Sequence, residues 1–521
     1  MATLSIEAPQ PKQRISARSV ASNSVANVTR LAATSVVAIL LPAYLTHRLP
    51  VKTYAAWVLI LQLSAYVGYL DFGVQTAVSK YIAEYEAKRD TAGCNRCASV
   101  GLVIMLVACA LGVLLTLVLA WQVPNVLRTM PPSLYHDVRL SIVFVGVSLS
   151  IGLASSVFVA IFLGLQRYRV PMVVTIVSRL LSGAVICATV ASHGSLVAMG
   201  VAAGCMNIFT ALLQWIAWRK MAYQIRISVH FVDLPTLVKM VKYCGVLTVW
   251  SVCMLCVSGL DVTIVGHYSF RETAYYSIAT SPTTFVLMIT SALMGPLLPA
   301  ASALGVHLSR TQMGGILLRS TRYAAIILLL TGLPMLVAGY AILRVWVGPA
   351  YAAHSIQFLR ILVVANIIRN LCAPYATMVV AMSRQRVATA SALTEGIVNL
   401  VSSILLARRM GALGVAMGTL LGAAAGVAMH FGISMRYTQS SLTLSRVELL
   451  VKGMLRPALI AIPSVLLVRH WWQPGPPSID ARLYVAWSVV TLLLAWFIGM
   501  SRQDRALAFR LVSRGGLARG D

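Results

Sequence analysis

The sequence predicts an all-α membrane protein with about 14 transmembrane helices. Of its 521 residues, 59% are hydrophobic and only 11% are charged, whereas charged residues make up roughly 25% of soluble domains. Apolar stretches of about 20 residues, the length that crosses a bilayer as a helix, recur along the chain between short basic groups. The net charge of +28 therefore does not indicate a nucleic-acid partner, because the basic residues form no single basic domain.

The positions of the apolar stretches predict each span in turn. The polar tail at 1–19 lacks a signal-peptide cleavage pattern, so the first span is expected to be uncleaved, and a second tail follows at 502–521. Most of the 42 Lys and Arg residues lie on the side of these two tails, which predicts cytoplasmic N and C termini by the positive-inside rule. The spans are expected at about 20–45, 54–79, 98–121, 139–165, 170–192, 195–218, 242–265, 273–300, 323–345, 357–382, 387–406, 411–435, 456–472 and 483–501.

An internal repeat divides the first twelve spans. The segment Val197–Gly200, followed by Gly204, recurs as Val415–Gly418, followed by Gly422. Six spans separate the two copies, and an even number preserves orientation, so the repeat predicts two parallel six-helix lobes. The predicted segments are an N-lobe at 20–225, a cytoplasmic amphipathic linker at 226–241, a C-lobe at 242–440, and two further spans with a preceding amphipathic segment at 441–501.

Charged residues inside the spans mark the candidate site, because each costs ~2.5–3.5 kcal/mol at mid-bilayer unless it faces water, protein or another charge. Asp261 and Arg360 lie near the outer ends of their spans, where they are expected to snorkel or to pair at the interface. Asp71 lies toward an inner end, where a polar contact between helices is the alternative to a functional role. The deeper residues are expected to line a cavity, and they are Arg30, Arg179, Arg369 and Glu395.

The residue types indicate an anionic ligand and a coupling ion. Arginine recognises phosphate through a planar fork and stays charged when partly desolvated, so Arg30, Arg179, Arg369 and Arg360 are the substrate-binding candidates. Glu395 and Asn399 are four residues apart and share a helix face, which makes them, with Asp71, candidates for binding H⁺ or Na⁺. The repeat places Arg179 near the level of Glu395, so that the two are expected to face a common cleft.

Catalysis of covalent chemistry is not predicted. The chain has no H-E-x-x-H or G-x-S-x-G motif, and its connections are too short to fold as catalytic domains. The nine cysteines include the pairs Cys94/Cys97 and Cys253/Cys256, but no histidine accompanies either pair. We therefore predict no catalytic residues, no metal site, no disulfide framework and no cofactor beyond a coupling ion.

Several short segments have a pattern in common with one family of membrane proteins. The segments are Leu49 to Tyr54, Tyr69 to Val74, Lys80 to Glu84, Gly164 to Tyr168, Leu260-Asp261, Ala274 to Tyr276, Val347 to Tyr351 and Leu359-Arg360. They resemble the Wzx-type O-antigen and exopolysaccharide flippases, which belong to the multidrug/oligosaccharidyl-lipid/polysaccharide exporter (MOP) superfamily. The resemblance implies a V-shaped, MATE-like pair of lobes in a bacterial inner membrane. It also implies a cationic lumen that admits an undecaprenyl-diphosphate-linked glycan from the side.

This resemblance leads to one functional hypothesis and several alternatives. The first is a flippase for an exopolysaccharide, capsule or O-antigen repeat unit, working by alternating access. Its expected partners are the lipid-linked oligosaccharide, anionic membrane lipids and polysaccharide polymerase or export proteins. A lipid II flippase, in whose group fourteen spans are usual, and a cation-coupled multidrug antiporter use the same scaffold. A membrane glycosyltransferase or ligase fits less well, because it needs a longer exterior loop.

Overall fold

The computed structural model describes residues 34–294, 310–382, 385–436, 443–464, 466, 481–500 and 505. In this part of the chain every regular element is helical and no strand occurs. Ten of the described helices are long and apolar enough to cross a membrane. The predicted all-α, multi-pass class is therefore confirmed.

The described residues of the first half of the chain form seven helices of fourteen residues or more, besides a four-residue helix at Val123–Val126. α2 and α3 together cover the second predicted span, and they are separated at Tyr66–Asp71, where the helix tightens to 3₁₀ geometry. Phe72 and Gly73 follow with φ of 49° and 76°, a left-handed conformation that interrupts an α-helix. The helices are α1 at 34–48, α2 at Val51–Ala65, α3 at Val74–Ala87, α4 at Thr91–Trp121, α5 at Tyr135–Gly164, α6 at Arg169–Ala191 and α7 at Leu196–Met221.

The second half repeats this arrangement with more interruptions. A π-helical turn at Leu255–Gly259 separates α8 from α9, and another at His430–Ser434 extends α16. The helices are α8 at Leu234–Met254, α9 at Asp261–Tyr268, α10 at Glu272–Met294, α11 at Arg310–Val337, α12 at Gly339–Val347, α13 at Pro349–Leu371, α14 at Ala373–Ala381, α15 at Gln385–Met410 and α16 at Ala412–Met429.

Two further helical regions follow the lobes. Short helical turns run from Arg446 to Ala461, and α17 at Ala481–Leu494 ends in a π-helical turn at Ala495–Gly499. The first region begins in the predicted amphipathic segment and overlaps only the start of the thirteenth predicted span, whereas the second overlaps the fourteenth. Each of the fourteen predicted spans contains helix within the described residues. The expected tails at 1–19 and 502–521 lie outside the described residues, except for Arg505.

A stripe of glycines joins α16 to α15. A Cβ on Gly418 would lie 2.2 Å from Ser403 Oγ, one on Gly422 2.7 Å from Asn399 Cβ, and one on Gly426 3.0 Å from Glu395 Oε2. Small residues at four-residue spacing allow two membrane helices to approach closely. The stripe thus holds the polar face of α15 tightly against α16.

The repeated glycines of α7 have a different partner. A Cβ on Gly200 would lie 2.8 Å from Ser141 Cβ, and one on Gly204 3.0 Å from Phe144 O. Both neighbours belong to α5, the fourth span, whereas the corresponding glycines of α16 face the eleventh. Helix α6, the fifth span, makes few contacts with α5.

Both lobes contribute to one apolar core near the predicted outer end. The Tyr351 ring lies 6.0 Å from that of Tyr54 and 5.4 Å from that of Tyr275. Gln62 Nε2 donates to Gly259 O at 2.7 Å, and Thr129 Oγ1 donates to Gly266 O at 3.2 Å. The lobes therefore meet at the end of the molecule where the outer loops are predicted.

Candidate functional site

A polar cavity of about 580 Å³ opens within the N-lobe. Asp71 and Arg179 both line it, and the rest of its polar wall consists of amide and hydroxyl side chains. Asp71 and Arg179 form no ion pair with each other or with another described residue. The polar lining residues are Asp71, Gln75, Ser155, Ser156, Thr175, Ser178, Arg179, Ser182, Asn207, Thr210 and Gln214.

Local backbone geometry places the two charged groups. Asp71 is the last residue of the 3₁₀ turn, and its Oδ1 accepts a hydrogen bond from Gln75 N at 3.3 Å. Arg179 extends from α6 and is exposed, because α6 stands apart from α5. Asp71 is thus fixed at the α2–α3 break, while the guanidinium of Arg179 is available to a ligand.

The uncharged wall is already partly organised by hydrogen bonds. Ser155 Oγ donates to Gln214 Oε1 at 2.7 Å, and Asn207 Nδ2 donates to Ser148 Oγ at 3.0 Å. Each amide keeps further donor and acceptor capacity. A guanidinium beside such groups suits a ligand that carries both an anionic group and many hydroxyls.

The C-lobe holds a second polar site, closed around an ion pair. Arg369 Nε of α13 donates to Glu395 Oε1 of α15. Their side chains are only 17% and 12% exposed, respectively, so the pair lies within the lobe. The sequence predicted a role for both residues but not that they neutralise each other.

Asp261 extends the C-lobe site toward the predicted outer end. Its Oδ2 accepts a hydrogen bond from Thr419 Oγ1 at 3.1 Å, and its Oδ1 accepts one from Asn399 Nδ2 at 3.4 Å. Asn399 Nδ2 also donates to Val257 O at 2.6 Å, and Asn399 Oδ1 accepts from Ser403 Oγ at 3.0 Å. Asn399 is completely buried and Asp261 is 7% exposed.

The expectation that Asp261 snorkels or pairs at the interface is therefore wrong. The π-helical turn at Leu255–Gly259 directly precedes α9, and the carboxylate finds an amide and a hydroxyl inside the lobe instead of water. Its position after this turn depends on a local change of helical geometry that hydropathy does not reveal. The sequence held one signal for this contact. Thr419, which donates to Asp261, directly follows the repeated Gly418 in an otherwise apolar helix.

Two buried donors in this site lack hydrogen-bond partners among the described residues. They are Arg369 Nη2 and the Tyr276 hydroxyl. Leaving a buried polar group unpaired costs about 1–3 kcal/mol, and most such groups in proteins are satisfied by protein or ordered water. The C-lobe site therefore combines two carboxylates, one guanidinium and spare hydrogen-bond donors, all of them mostly buried.

The candidate residues predicted from the sequence do not all meet in one common site. Arg360 and Arg369 are nine residues apart on the continuous helix α13, which at 3.6 residues per turn places them on opposite faces. Arg30 lies outside the described residues. Arg179 lines the N-lobe cavity with Asp71, whereas Glu395 pairs with Arg369, so these two face different neighbours rather than each other.

The part of the chain that the structure describes contains no cluster of three or more His, Cys, Asp or Glu side chains that could hold a metal ion. The described cysteines are all unpaired thiols. These observations concern the described residues alone.

The fold and the two sites define a class: a multi-pass α-helical membrane protein with a polar site inside each of two lobes. No protein-family profile and no curated protein matches the sequence. The fold is nevertheless similar to that of solved structures of MOP-superfamily transporters and flippases. The assignment to Wzx-type flippases has no support from sequence comparison and stays a prediction.

Three of these structures illustrate the likeness. A lipid II flippase MurJ in an inward closed conformation aligns with a TM-score of 0.70 and 11% identity, over 96% of this chain and 100% of that chain. An inward-facing multidrug resistance MATE family transporter aligns with a TM-score of 0.65 and 14% identity, over 81% of this chain and 99% of its own. A MOP superfamily transporter from Pyrococcus furiosus aligns with a TM-score of 0.59 and 14% identity, over 82% and 97%.

Proposed function

We propose that this protein is a flippase that carries an undecaprenyl-diphosphate-linked oligosaccharide across a bacterial inner membrane by alternating access. The observation that carries the proposal is the N-lobe cavity, in which Arg179 has no ion-pair partner among the described residues and shares the wall with Asp71, amides and hydroxyls. The guanidinium would bind the diphosphate through its fork, and the uncharged wall would bind sugar hydroxyls.

Size supports a headgroup rather than a whole substrate in this cavity. Its volume of about 580 Å³ is within the ~300–1,000 Å³ range of small-molecule sites. A diphosphate with its first sugar fits that range, whereas a long lipid tail does not. The tail would remain in the bilayer while the headgroup moves through the protein.

The C-lobe site would bind the coupling ion. Glu395, Asp71 and Asn399 were the sequence candidates, and the buried Asp261 joins Asn399 in the C-lobe. If both C-lobe carboxylates are ionised, they outnumber the single Arg369 guanidinium. A small cation, H⁺ or Na⁺, would balance this charge, and its binding and release would bias the lobes between two states.

A complementation experiment tests the transport proposal. In a strain lacking the native protein, we expect the lipid-linked glycan to accumulate in the inner leaflet and surface polymer to disappear. Arg179→Ala should fail to restore export at normal protein levels, and Arg179→Lys should restore only part of it, because Lys keeps the charge but loses the fork.

Arg344→Ala is the matched control, because this exposed Arg near the end of α12 lies outside both polar sites. It should export normally. Full export by Arg179→Ala would show that the N-lobe cavity does not bind the diphosphate.

A lipid II flippase is the second candidate, favoured by the alignment over 96% of the chain with a lipid II flippase. The same strain distinguishes the two, since accumulated lipid-linked peptidoglycan precursor would indicate this alternative. In either case we propose an inner-membrane location with both termini cytoplasmic.

A further inference from the structure

A second pocket lies outside both polar sites, where α7 ends and the linker to the C-lobe begins. Its volume is about 430 Å³. Arginine and aromatic side chains form most of its wall. The lining residues are Trp218, Arg219, Tyr223, Ile225, Arg226, Ile227, Ser228 and Phe231.

The pocket is held in shape by contacts with α4 and α5. Trp218 stacks on Phe158 with ring centroids 5.0 Å apart, and its Nε1 donates to Ile225 O at 3.2 Å. Arg226 N donates to Asn95 Oδ1 at 2.8 Å, and Ser228 N donates to Ser99 Oγ at 3.1 Å. The linker segment is thus tied to the N-lobe before it enters α8.

The two guanidinium groups, those of Arg219 and Arg226, are exposed and have no ion-pair partner among the described residues. The Arg219 guanidinium carbon lies 5.3 Å from the Trp218 ring and 5.8 Å from the Trp215 ring. These aromatic faces orient Arg219 without neutralising it.

The surroundings of the pocket suit a membrane surface. Tyr223, Val229 and Leu234 are 75%, 80% and 70% exposed, although all three are largely apolar. Aromatic and apolar side chains at the end of a membrane-crossing helix, next to Arg, are typical of the headgroup region of a bilayer.

We propose that this pocket binds the phosphate group of an anionic phospholipid in the leaflet that surrounds the end of α7. Arg219 and Arg226 both line this one cavity, the planar fork of an Arg matches phosphate oxygens, and Tyr223 would contact the glycerol and upper acyl region. A zwitterionic lipid carries a phosphate too, but its ammonium group opposes a doubly cationic pocket. The bound lipid would tether the inter-lobe linker to the membrane.

Binding of single lipids to the purified full chain in neutral detergent micelles tests the proposal. We expect dioleoylphosphatidylglycerol to bind about tenfold more tightly than dioleoylphosphatidylcholine. Arg219→Ala with Arg226→Ala should weaken phosphatidylglycerol binding by roughly 30-fold, since each basic residue near anionic lipid contributes about fivefold.

Lys220→Ala is the matched control, because Lys220 is an exposed neighbour of Arg219 that does not line the pocket. It should change binding less than twofold. An equal loss in Lys220→Ala, or equal affinity for the two lipids, would overturn the proposal. If the double variant fails to fold, the single variant Arg226→Ala still tests the proposal, and its affinity for phosphatidylglycerol should fall about fivefold.

Two further measurements test whether the ligand is a lipid rather than free phosphate and whether the Arg forks are needed. Inorganic phosphate at millimolar concentration should not displace phosphatidylglycerol, because it lacks the acyl contacts. Displacement would show a soluble phosphate site instead and would overturn the lipid assignment. The double Arg→Lys variant should bind phosphatidylglycerol more weakly than the wild type but more tightly than the double Ala variant, because Lys keeps the charge and loses the planar fork. Full binding would indicate diffuse charge attraction rather than this pocket.

Discussion

The ion pair between Arg369 of α13 and Glu395 of α15 joins the two helices that border the C-lobe site. Both partners are mostly buried, and each neutralises the charge of the other. A substrate anion would have to compete with Glu395 for Arg369, whereas Arg179 in the N-lobe forms no ion pair with a described residue. We therefore propose that the anion binds in the N-lobe.

Removing one partner of this pair should destabilise the protein. Arg369→Ala leaves the buried Glu395 carboxylate without its partner, and breaking a buried ion pair in this way costs about 3–5 kcal/mol. Thermal unfolding in detergent should show a markedly lower midpoint. The double variant Arg369→Met with Glu395→Met should recover most of the loss, and no recovery would show that the two residues do not act as a pair.

The glycine stripe of α16 should tolerate no side chain. Gly418→Ala would place a Cβ 2.2 Å from Ser403 Oγ, and such overpacking costs about 1–3 kcal/mol. The control is Gly315→Ala in α11, where no atom lies within 4 Å of the new Cβ. Gly315→Ala should leave the unfolding midpoint unchanged or raise it, and equal effects of the two variants would refute close α15–α16 packing.

Asp261 should report the coupling ion. Asp261→Asn keeps an acceptor for Thr419 Oγ1 but removes the charge, so the variant should fold. If the coupling ion is Na⁺, replacing KCl by NaCl should stabilise the wild type and raise its unfolding midpoint. At a Na⁺ concentration 100 times the dissociation constant, the free energy of unfolding should increase by about 2.7 kcal/mol. The variant should lose this rise. A salt response that persists in Asp261→Asn would place the ion elsewhere.

The contact of Gly266 with Leu59 should control opening at the predicted outer end. A Cβ on Gly266 would lie 2.6 Å from Leu59 Cδ2, so Gly266→Ala should push the lobes apart there. In a cysteine-free background, a cysteine at Gln62 should then react faster with an impermeant maleimide added outside. Gly245→Ala, in open space, should leave the rate unchanged, and a slow rate in both would argue against this gate.

The sequence by itself determined where the helices lie. Each span must satisfy its backbone hydrogen bonds internally in lipid, so an apolar stretch of sufficient length specifies a helix without help from its neighbours. The repeat likewise indicated two parallel lobes. The opposite faces of Arg360 and Arg369 also follow from their spacing, once α13 is known to be continuous.

Only the tertiary structure decided which polar groups meet. Rotation of α13 and α15 about their axes brings Arg369 to Glu395, and the glycine stripe of α16 fixes the height at which Asn399 meets Asp261. The same glycine motif in α7 packs on α5 and leaves α6 apart, which opens the cavity around Arg179. Hydropathy sets the depth of a residue but not the rotation of its helix, and rotation is what divides these charges between an open N-lobe cavity and a closed C-lobe site.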